Sequence, residues 1–180
     1  AGGKQKLLIK ELFSEYTDNI PNPVGRGELL KICHSKDGKQ MVLFAKFTQL
    51  QRFDNLDEFE RAAAKAVGLD YLRVKCRYTP DMLDAKYTGE AVKRLKQDMA
   101  VINGHLNGAF YYIDNNTVHI ELKRGGAELL SRAGFENALA KLLNEEFSVK
   151  LTVKLIEKQT EQDNDYHYEQ MMKQVYSDSL

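Results

Sequence analysis

Residues 149–155 have the sequence Val-Lys-Leu-Thr-Val-Lys-Leu, in which apolar and polar side chains alternate without a break. Residues 72–78, Leu-Arg-Val-Lys-Cys-Arg-Tyr, alternate in the same way. Because successive side chains of a β-strand point to opposite sides of the sheet, this alternation indicates a strand with one buried and one solvent-facing side. Each stretch therefore predicts the closing strand of a small sheet.

The chain repeats one order of elements: a helix, a two-stranded hairpin, a second helix and a closing strand. The first copy is predicted as a helix at 4–17, strands at 28–35 and 40–48 joined by Asp37-Gly38, a helix from Asn55 to Gly68, and a strand at 71–78. The helix start rests on Asn55 and Glu58, which have the spacing of a capping box.

The second copy is predicted to begin with a helix at 92–106 and a strand at 109–113, followed by a strand that contains Val118, Ile120 and Leu122. A long helix, which Gly134 kinks or splits, then leads to a strand at 148–156. These patterns predict an α+β fold of two small modules in tandem. The expected boundaries are residues 1–86 for the first module, 87–157 for the second and 158–180 for an acidic connector, with a linker at 81–88.

Composition narrows the class of protein. The 180 residues include 26 basic and 26 acidic side chains, a balance that disfavours a dedicated nucleic-acid binder. No stretch approaches the roughly 18 apolar residues that a membrane helix requires. Cys33 and Cys76 have no partners at metal-ligand spacing and are predicted to be free thiols in a reducing compartment. The expected location is therefore the cytoplasm, without membrane contact.

Residue types that carry chemistry are scattered. His34, His105, His119 and His167 fall on four different predicted elements, and Asp163 and Asp165 fall in the acidic connector. The chain has no P-loop, nucleophile elbow or dinucleotide-binding fingerprint. We therefore expect no catalytic residue, metal or cofactor, and a small metal-dependent enzyme is the weakest hypothesis.

The candidate binding residues are basic. Arg73, Lys75 and Arg77 point to one side of their predicted strand, and Lys31 and Lys46 are expected to join them across the sheet. Such a set is either a solvated sheet face or a docking surface for an acidic partner. Tyr111 and Tyr112 are a second candidate, because adjacent strand residues face opposite ways and one of them should be exposed.

A module of helix, hairpin, helix and strand is similar to a KH-type fold. KH domains hold nucleic acid with a G-x-x-G loop that clamps the backbone. This chain contains no G-x-x-G, since Gly25-Arg26-Gly27 and Gly125-Gly126 have the wrong spacing. A KH-like shape without that loop is expected to bind something other than RNA.

The segment from Gly108 through IDNNTVHIELKRGGAELLSRAGFENALAKLLNEEFSVKLTVKLIE resembles the N-terminal region of PolC-type DNA polymerase III α subunits, the Gram-positive replicative polymerases. The earlier stretches GELLKICHSKDGKQMVLFAKF and LDYLRVKCRY are similar to the part that precedes it in that family. The resemblance covers about residues 4–157. It implies that 158–180 leads toward an OB-fold domain.

The resemblance implies a non-catalytic docking region for DNA replication, with the τ subunit of the clamp loader as the leading partner. The parent chain would be a DNA-directed DNA polymerase with a 3′–5′ exonuclease, and DNA would be bound through that parent enzyme. The family's N-terminal modules are similar in fold to protein-docking domains of τ and of the initiator DnaA. The alternative is a KH-like module that binds single-stranded nucleic acid through Lys31, Lys46, Arg73, Lys75 and Arg77.

Overall fold

Two three-stranded sheets organise the chain. The computed structural model describes residues 5–157 and 171–173, and the fold is α+β, as the sequence patterns predicted. In each sheet the first two strands are antiparallel and the third runs parallel to the second. The two halves therefore share one order of elements and one pattern of strand pairing.

The first half contains two short helices, a hairpin, a long helix and a closing strand: α1 Ile9–Phe13, α2 Asn22–Gly25, β1 Glu28–His34, β2 Gln40–Lys46, α3 Phe53–Val67 and β3 Tyr71–Arg77. Gly38 has φ 71° in the hairpin turn, and Gly68 has φ 74° at the end of α3, as predicted for that glycine. Helix α3 connects β2 to β3 and packs on the inner side of the sheet, where Leu43, Phe59 and Val74 are buried.

The second half begins with a 3-10 turn at Pro80–Met82 and continues with α4 Tyr87–Asp98, a 3-10 turn at Ala100–Ile102, β4 Phe110–Asp114, β5 Thr117–Leu122, α5 Ala127–Arg132, α6 Phe135–Phe147 and β6 Thr152–Glu157. Gly134, with φ 77°, separates α5 from α6, so the predicted break is confirmed. Helix α4 packs against both α3 and α6, and the buried side chains of both halves form one continuous core.

The first predicted helix is much shorter than expected. Among residues 5–17, the described part of that prediction, only Ile9–Phe13 are α-helical, and Tyr16 is exposed. Leu8 forms a bridge to Glu28, and the Leu7 carbonyl accepts a hydrogen bond from the Leu29 amide. Leu7 and Leu8, which were predicted to be helical, are therefore paired with the edge of β1 instead.

The predicted capping box at Asn55 is wrong. Helix α3 begins at Phe53, which places Asn55 within its first turn. The Phe53 amide donates to Glu90 Oε2 at 2.9 Å, so a carboxylate from α4 provides the hydrogen-bond acceptor for the first amide of α3. A negative charge at this position also interacts favourably with the helix dipole.

The predicted linker at 81–88 is not an exposed connector throughout. It contains the start of α4, where Tyr87 is 6% exposed and Thr88 is fully buried. The α-helical part of the predicted helix at 92–106 ends at Asp98. The predicted connector at 158–180 lies outside the described residues, apart from 171–173, which are helical.

The last strand starts later than predicted because Asn144 holds the chain that precedes it. Its side-chain Oδ1 accepts from the Leu151 amide at 2.7 Å, and its Nδ2 donates to the Leu151 carbonyl at 3.2 Å. The amide and the carbonyl of Leu151 are therefore both hydrogen-bonded to a side chain of α6, and β6 begins at Thr152.

We expect Asn144→Ala to lower the free energy of unfolding by about 1–3 kcal/mol, because it leaves two backbone groups beside a buried side chain unpaired. Urea unfolding measures this change. Asn103→Ala removes an exposed amide and is the matched control. Equal effects of the two substitutions would show that the Asn144 hydrogen bonds contribute nothing.

Candidate functional site

The five predicted basic residues lie on three neighbouring strands of the first sheet. Phe44 of β2 pairs with Lys75 of β3 and with Lys31 of β1, and Lys46 pairs with Arg77. Side chains paired across strands project to the same side of a sheet. We define the basic face as the sheet surface formed by Lys31, Lys46, Arg73, Lys75 and Arg77 around Phe44.

Phe44 lies at the centre of the basic face, and cations approach its ring from both flanking strands. Lys31 Nζ, from β1, is 5.8 Å from the ring centroid. On the β3 side, Lys75 Nζ is 5.7 Å and Arg77 Cζ is 5.1 Å from it. Each such contact stabilises the cation by about 0.5–1 kcal/mol at an exposed site. The ring therefore holds three like charges close together.

Arg73 differs from the other members of the basic face because it has a carboxylate partner. Its two terminal nitrogens donate to the two oxygens of Asp98 at 3.1 and 3.2 Å, and its side chain is only 13% exposed. This paired geometry attaches β3 to the end of α4. Arg73 has a structural contact of its own, whatever it contributes to binding.

The three lysines of the basic face are exposed, and none of them has an acidic partner among the described residues. Among residues 5–157 and 171–173, no carboxylate lies within ion-pair distance of Lys31, Lys46 or Lys75. Glu28 pairs with Lys46 in the strand register, but its ion pair is with Lys6 at 4.0 Å. The basic face thus has a local excess of positive charge in a chain of zero net charge.

A cleft of about 140 Å³ runs along the outer edge of β3, next to the basic face. Residues 73–77 form one wall, and Arg94, Asp98, Leu142, Glu145 and Glu146 from α4 and α6 form the other. The edge of β3 is already occupied at Val74: its amide donates to Glu60 Oε2 at 2.7 Å, and its carbonyl accepts from Arg94 at 3.3 Å. Charged side chains thus block pairing of another strand there.

Glu60 and Arg94 form a buried ion pair between α3 and α4. Arg94 donates to Glu60 Oε1 at 2.7 Å and to Oε2 at 2.8 Å, with side chains 10% and 6% exposed. Burying two charges is costly, so such a pair depends on complete hydrogen bonding. Together with Val74, it fixes the position of β3 relative to both helices.

A second buried polar cluster lies where the two halves meet. The Tyr87 hydroxyl lies 2.9 Å from both carboxylate oxygens of Glu146, and the Tyr78 hydroxyl lies 3.3 Å from that of Tyr87. Burial raises the pKa of Glu146 to about 7, although the Tyr87 hydrogen bond and Arg94 lower it. Burial also raises the pKa of Tyr87 well above its usual value, so its hydroxyl keeps the proton that it donates.

Tyr111 and Tyr112 lie on opposite sides of the second sheet, as the alternation predicted, but both are half-buried. Tyr112 stacks on His119 with ring centroids 4.6 Å apart. The ring of Phe110, which is 60% exposed, has its centroid 6.0 Å from that of Tyr112. Glu121 pairs with Phe110 in the register, so this open face mixes aromatic and acidic groups. It lacks the cation excess of the basic face.

Within the part of the chain that the structure describes, no three His, Cys, Asp or Glu side chains are grouped to hold a metal ion. His167, Asp163 and Asp165 lie outside that part. None of the described helices is both long and apolar enough to cross a membrane. Cys33 is half-buried and Cys76 is buried, both as free thiols.

No family model matches the sequence, and no curated protein matches it.

Sequence reasoning missed the residues at the centre of these arrangements. Phe44 lies between Leu43 and Ala45, which are both buried, so alternation along the predicted strand could have placed it on the basic face. Glu60, Arg94 and Glu146 had no such signal. They are charged residues on amphipathic helices, where a solvated position is the ordinary expectation.

Proposed function

We propose that this chain is a non-catalytic docking region of a PolC-type replicative DNA polymerase, and that the basic face binds a partner protein in the replisome. The clamp-loader τ subunit is the leading candidate partner because of the sequence resemblance. The observation that carries the proposal is the convergence of Lys31, Lys46, Lys75 and Arg77 around Phe44 on one open sheet surface. The positive charge of this surface is local, since the whole chain has zero net charge.

The repeated architecture supports a KH-like description of both modules, which is part of the same proposal. Each has a hairpin whose second strand is followed by a helical connection to a parallel third strand. The absence of G-x-x-G from the sequence removes the loop with which KH domains clamp nucleic acid. A KH-like module without that loop is better suited to a protein partner.

Single-stranded nucleic acid is the second candidate ligand. An aromatic ring among lysines and arginines on a sheet surface is a common arrangement for stacking bases and contacting phosphates. Such binding would weaken steeply as salt increases, with a slope of about −0.7 per phosphate contact.

The test replaces the three lysines of the basic face. We expect Lys31→Glu, Lys46→Glu and Lys75→Glu together to weaken τ binding about tenfold or more, mainly through slower association, because complementary charge steers the encounter. Surface plasmon resonance at roughly 150 mM salt measures both rates. Arg73 is left intact, because reversing its charge would break the contact with Asp98.

The matched control is Lys65→Glu, Lys141→Glu and Lys150→Glu, which changes net charge equally at exposed positions away from the basic face. Its τ affinity should stay within about threefold of the wild type. Equal losses for the two triple variants would exclude the basic face as the docking surface. Tight binding of an oligothymidine at the same salt, without τ binding, would favour the nucleic-acid function.

A further inference from the structure

Cations of the basic face already lie over the ring of Phe44. Strands β1 and β3 flank β2 on opposite sides, and their cations lie over the ring at 5.1–5.8 Å from its centroid. A nucleic-acid base stacks on an open aromatic face. Displacing a cation would sacrifice its contact with the ring, so Phe44 is better placed to offer its outer edge than its face.

The apolar part of the basic face is a narrow strip. Val42, two residues before Phe44 on β2, lies on the same side of the sheet. It pairs with Cys33 of β1 and with Arg73 of β3. Val42, Cys33 and Phe44 are half-buried, whereas Lys31 and Lys75 on either side are exposed. The surface therefore has an apolar centre, with Lys31 on the β1 margin and Arg73, Lys75 and Arg77 on the β3 margin.

A partner that fits this surface must supply carboxylates. Of the acidic side chains at its edges, Glu28 is engaged with Lys6 and Asp98 with Arg73, and Glu145 lines the cleft beside β3 without forming an ion pair with Lys75. The lysines therefore have charge available for an incoming acidic group. An apolar stripe with acidic groups on both sides has the matching pattern, and an amphipathic helix provides it in one short segment.

We infer that the basic face binds an acidic amphipathic helix of the partner protein, with an apolar side chain against the outer edge of Phe44 and carboxylates beside Lys31 and Lys75. This inference rests on the proposed docking function and adds the chemistry of the partner. The apolar contact fixes the register of the helix, and the charges select acidic sequences over basic ones.

The probes are synthetic peptides of about 15 residues, long enough to form a helix on binding. One has leucines at helical spacing with glutamates elsewhere, a second has serine in place of each leucine, and a third has lysine in place of each glutamate. Isothermal titration with the full chain at roughly 150 mM salt measures affinity. We expect the first peptide to bind at least about tenfold more tightly than either of the others.

Phe44→Thr tests the apolar contact while keeping a residue that favours strands. We expect it to remove most of the advantage of the leucine peptide over the serine peptide, so that the two changes couple in a double-mutant cycle. Phe110→Thr, at an exposed phenylalanine on the second sheet, is the matched control and should leave both affinities unchanged. Amide chemical shifts of the wild type with bound peptide locate the contact independently of any folding defect.

The outcomes separate this inference from the proposed function. If τ binding depends on the three lysines but not on Phe44, and the leucine and serine peptides bind equally, the inference is wrong and the docking function stands. If the leucine peptide shifts the amides around Phe44 but τ does not bind, the inferred chemistry stands and τ is the wrong partner. Tighter binding of oligothymidine than of the leucine peptide, together with no τ binding, would overturn both.

Discussion

Replacing Arg94 with methionine is expected to lower the free energy of unfolding by about 3–5 kcal/mol, because it leaves the Glu60 carboxylate buried without its countercharge. Arg94 provides both short hydrogen bonds to that carboxylate and a third to the Val74 carbonyl. Methionine fills much of the same volume, so the loss reports on charge and hydrogen bonding more than on packing. Equilibrium unfolding in urea measures it.

A second substitution checks the cause. Adding Glu60→Gln to Arg94→Met removes the unpaired charge, while the amide oxygen can still accept from the Val74 amide. We expect the double variant to recover part of the lost stability, which gives a coupling energy of about 1 kcal/mol or more.

The matched control for the first prediction is Arg61→Met, which removes an exposed ion pair with Asp57 on α3. Surface pairs of this kind contribute about 0–1 kcal/mol, so the change should be small. A cost for Arg94→Met as small as that of Arg61→Met would mean that the Glu60–Arg94 pair is not desolvated in the folded protein.

The second prediction concerns the pH dependence of stability. The pKa of Glu146 is about 7 in the folded protein, above its ordinary value of 4.5, because burial penalises the charged form. Between these two values the folded state binds more protons than the unfolded state, so the free energy of unfolding falls as pH rises. This residue alone should lower it by about 3 kcal/mol from pH 4.5 to above pH 7.

Glu146→Gln isolates that contribution, because the glutamine oxygen can still accept the hydrogen bond from Tyr87 but does not titrate. We expect the variant to match the wild type near pH 4.5 and to be more stable by about 3 kcal/mol near pH 8. Thermal and urea unfolding across this pH range provide the measurement. Glu145→Gln, one residue earlier and exposed, is the control for removing a charge from α6. Because the Glu145 charge is the smallest of the influences that raise the Glu146 pKa, this control should keep most of the pH dependence. A difference between Glu146→Gln and wild type that does not change with pH would show that Glu146 titrates normally.

These two buried clusters bear on the docking proposal because they set the position of β3. Val74 contacts the Glu60–Arg94 pair, and the Tyr78 amide donates to the Glu146 carbonyl at 2.7 Å. Lys75 and Arg77 lie between these anchored positions. The β3 side of the basic face is therefore held by packing between the two halves, and a partner would meet cations that are already in place.

The sequence by itself determined the strands and their faces. Alternation in 72–78 and 149–155 placed apolar and charged residues on opposite sides, and it correctly put Arg73, Lys75 and Arg77 on one surface. Asp37-Gly38, Gly68 and Gly134 marked turns and helix ends because few residues adopt positive φ without strain. These properties depend on a few neighbouring residues, so a local pattern contains them.

Tertiary structure alone decided which residues meet. The cations around Phe44 come from three strands, and their spacing depends on the order β1-β2-β3. Glu60 and Arg94 are 34 residues apart, and Tyr87 and Glu146 are 59 apart. Likewise, Glu90 rather than Asn55 satisfies the start of α3. A hydrophobic pattern records that a face is buried but not which element covers it, so contacts between distant elements exist only once the helices have packed against the sheets.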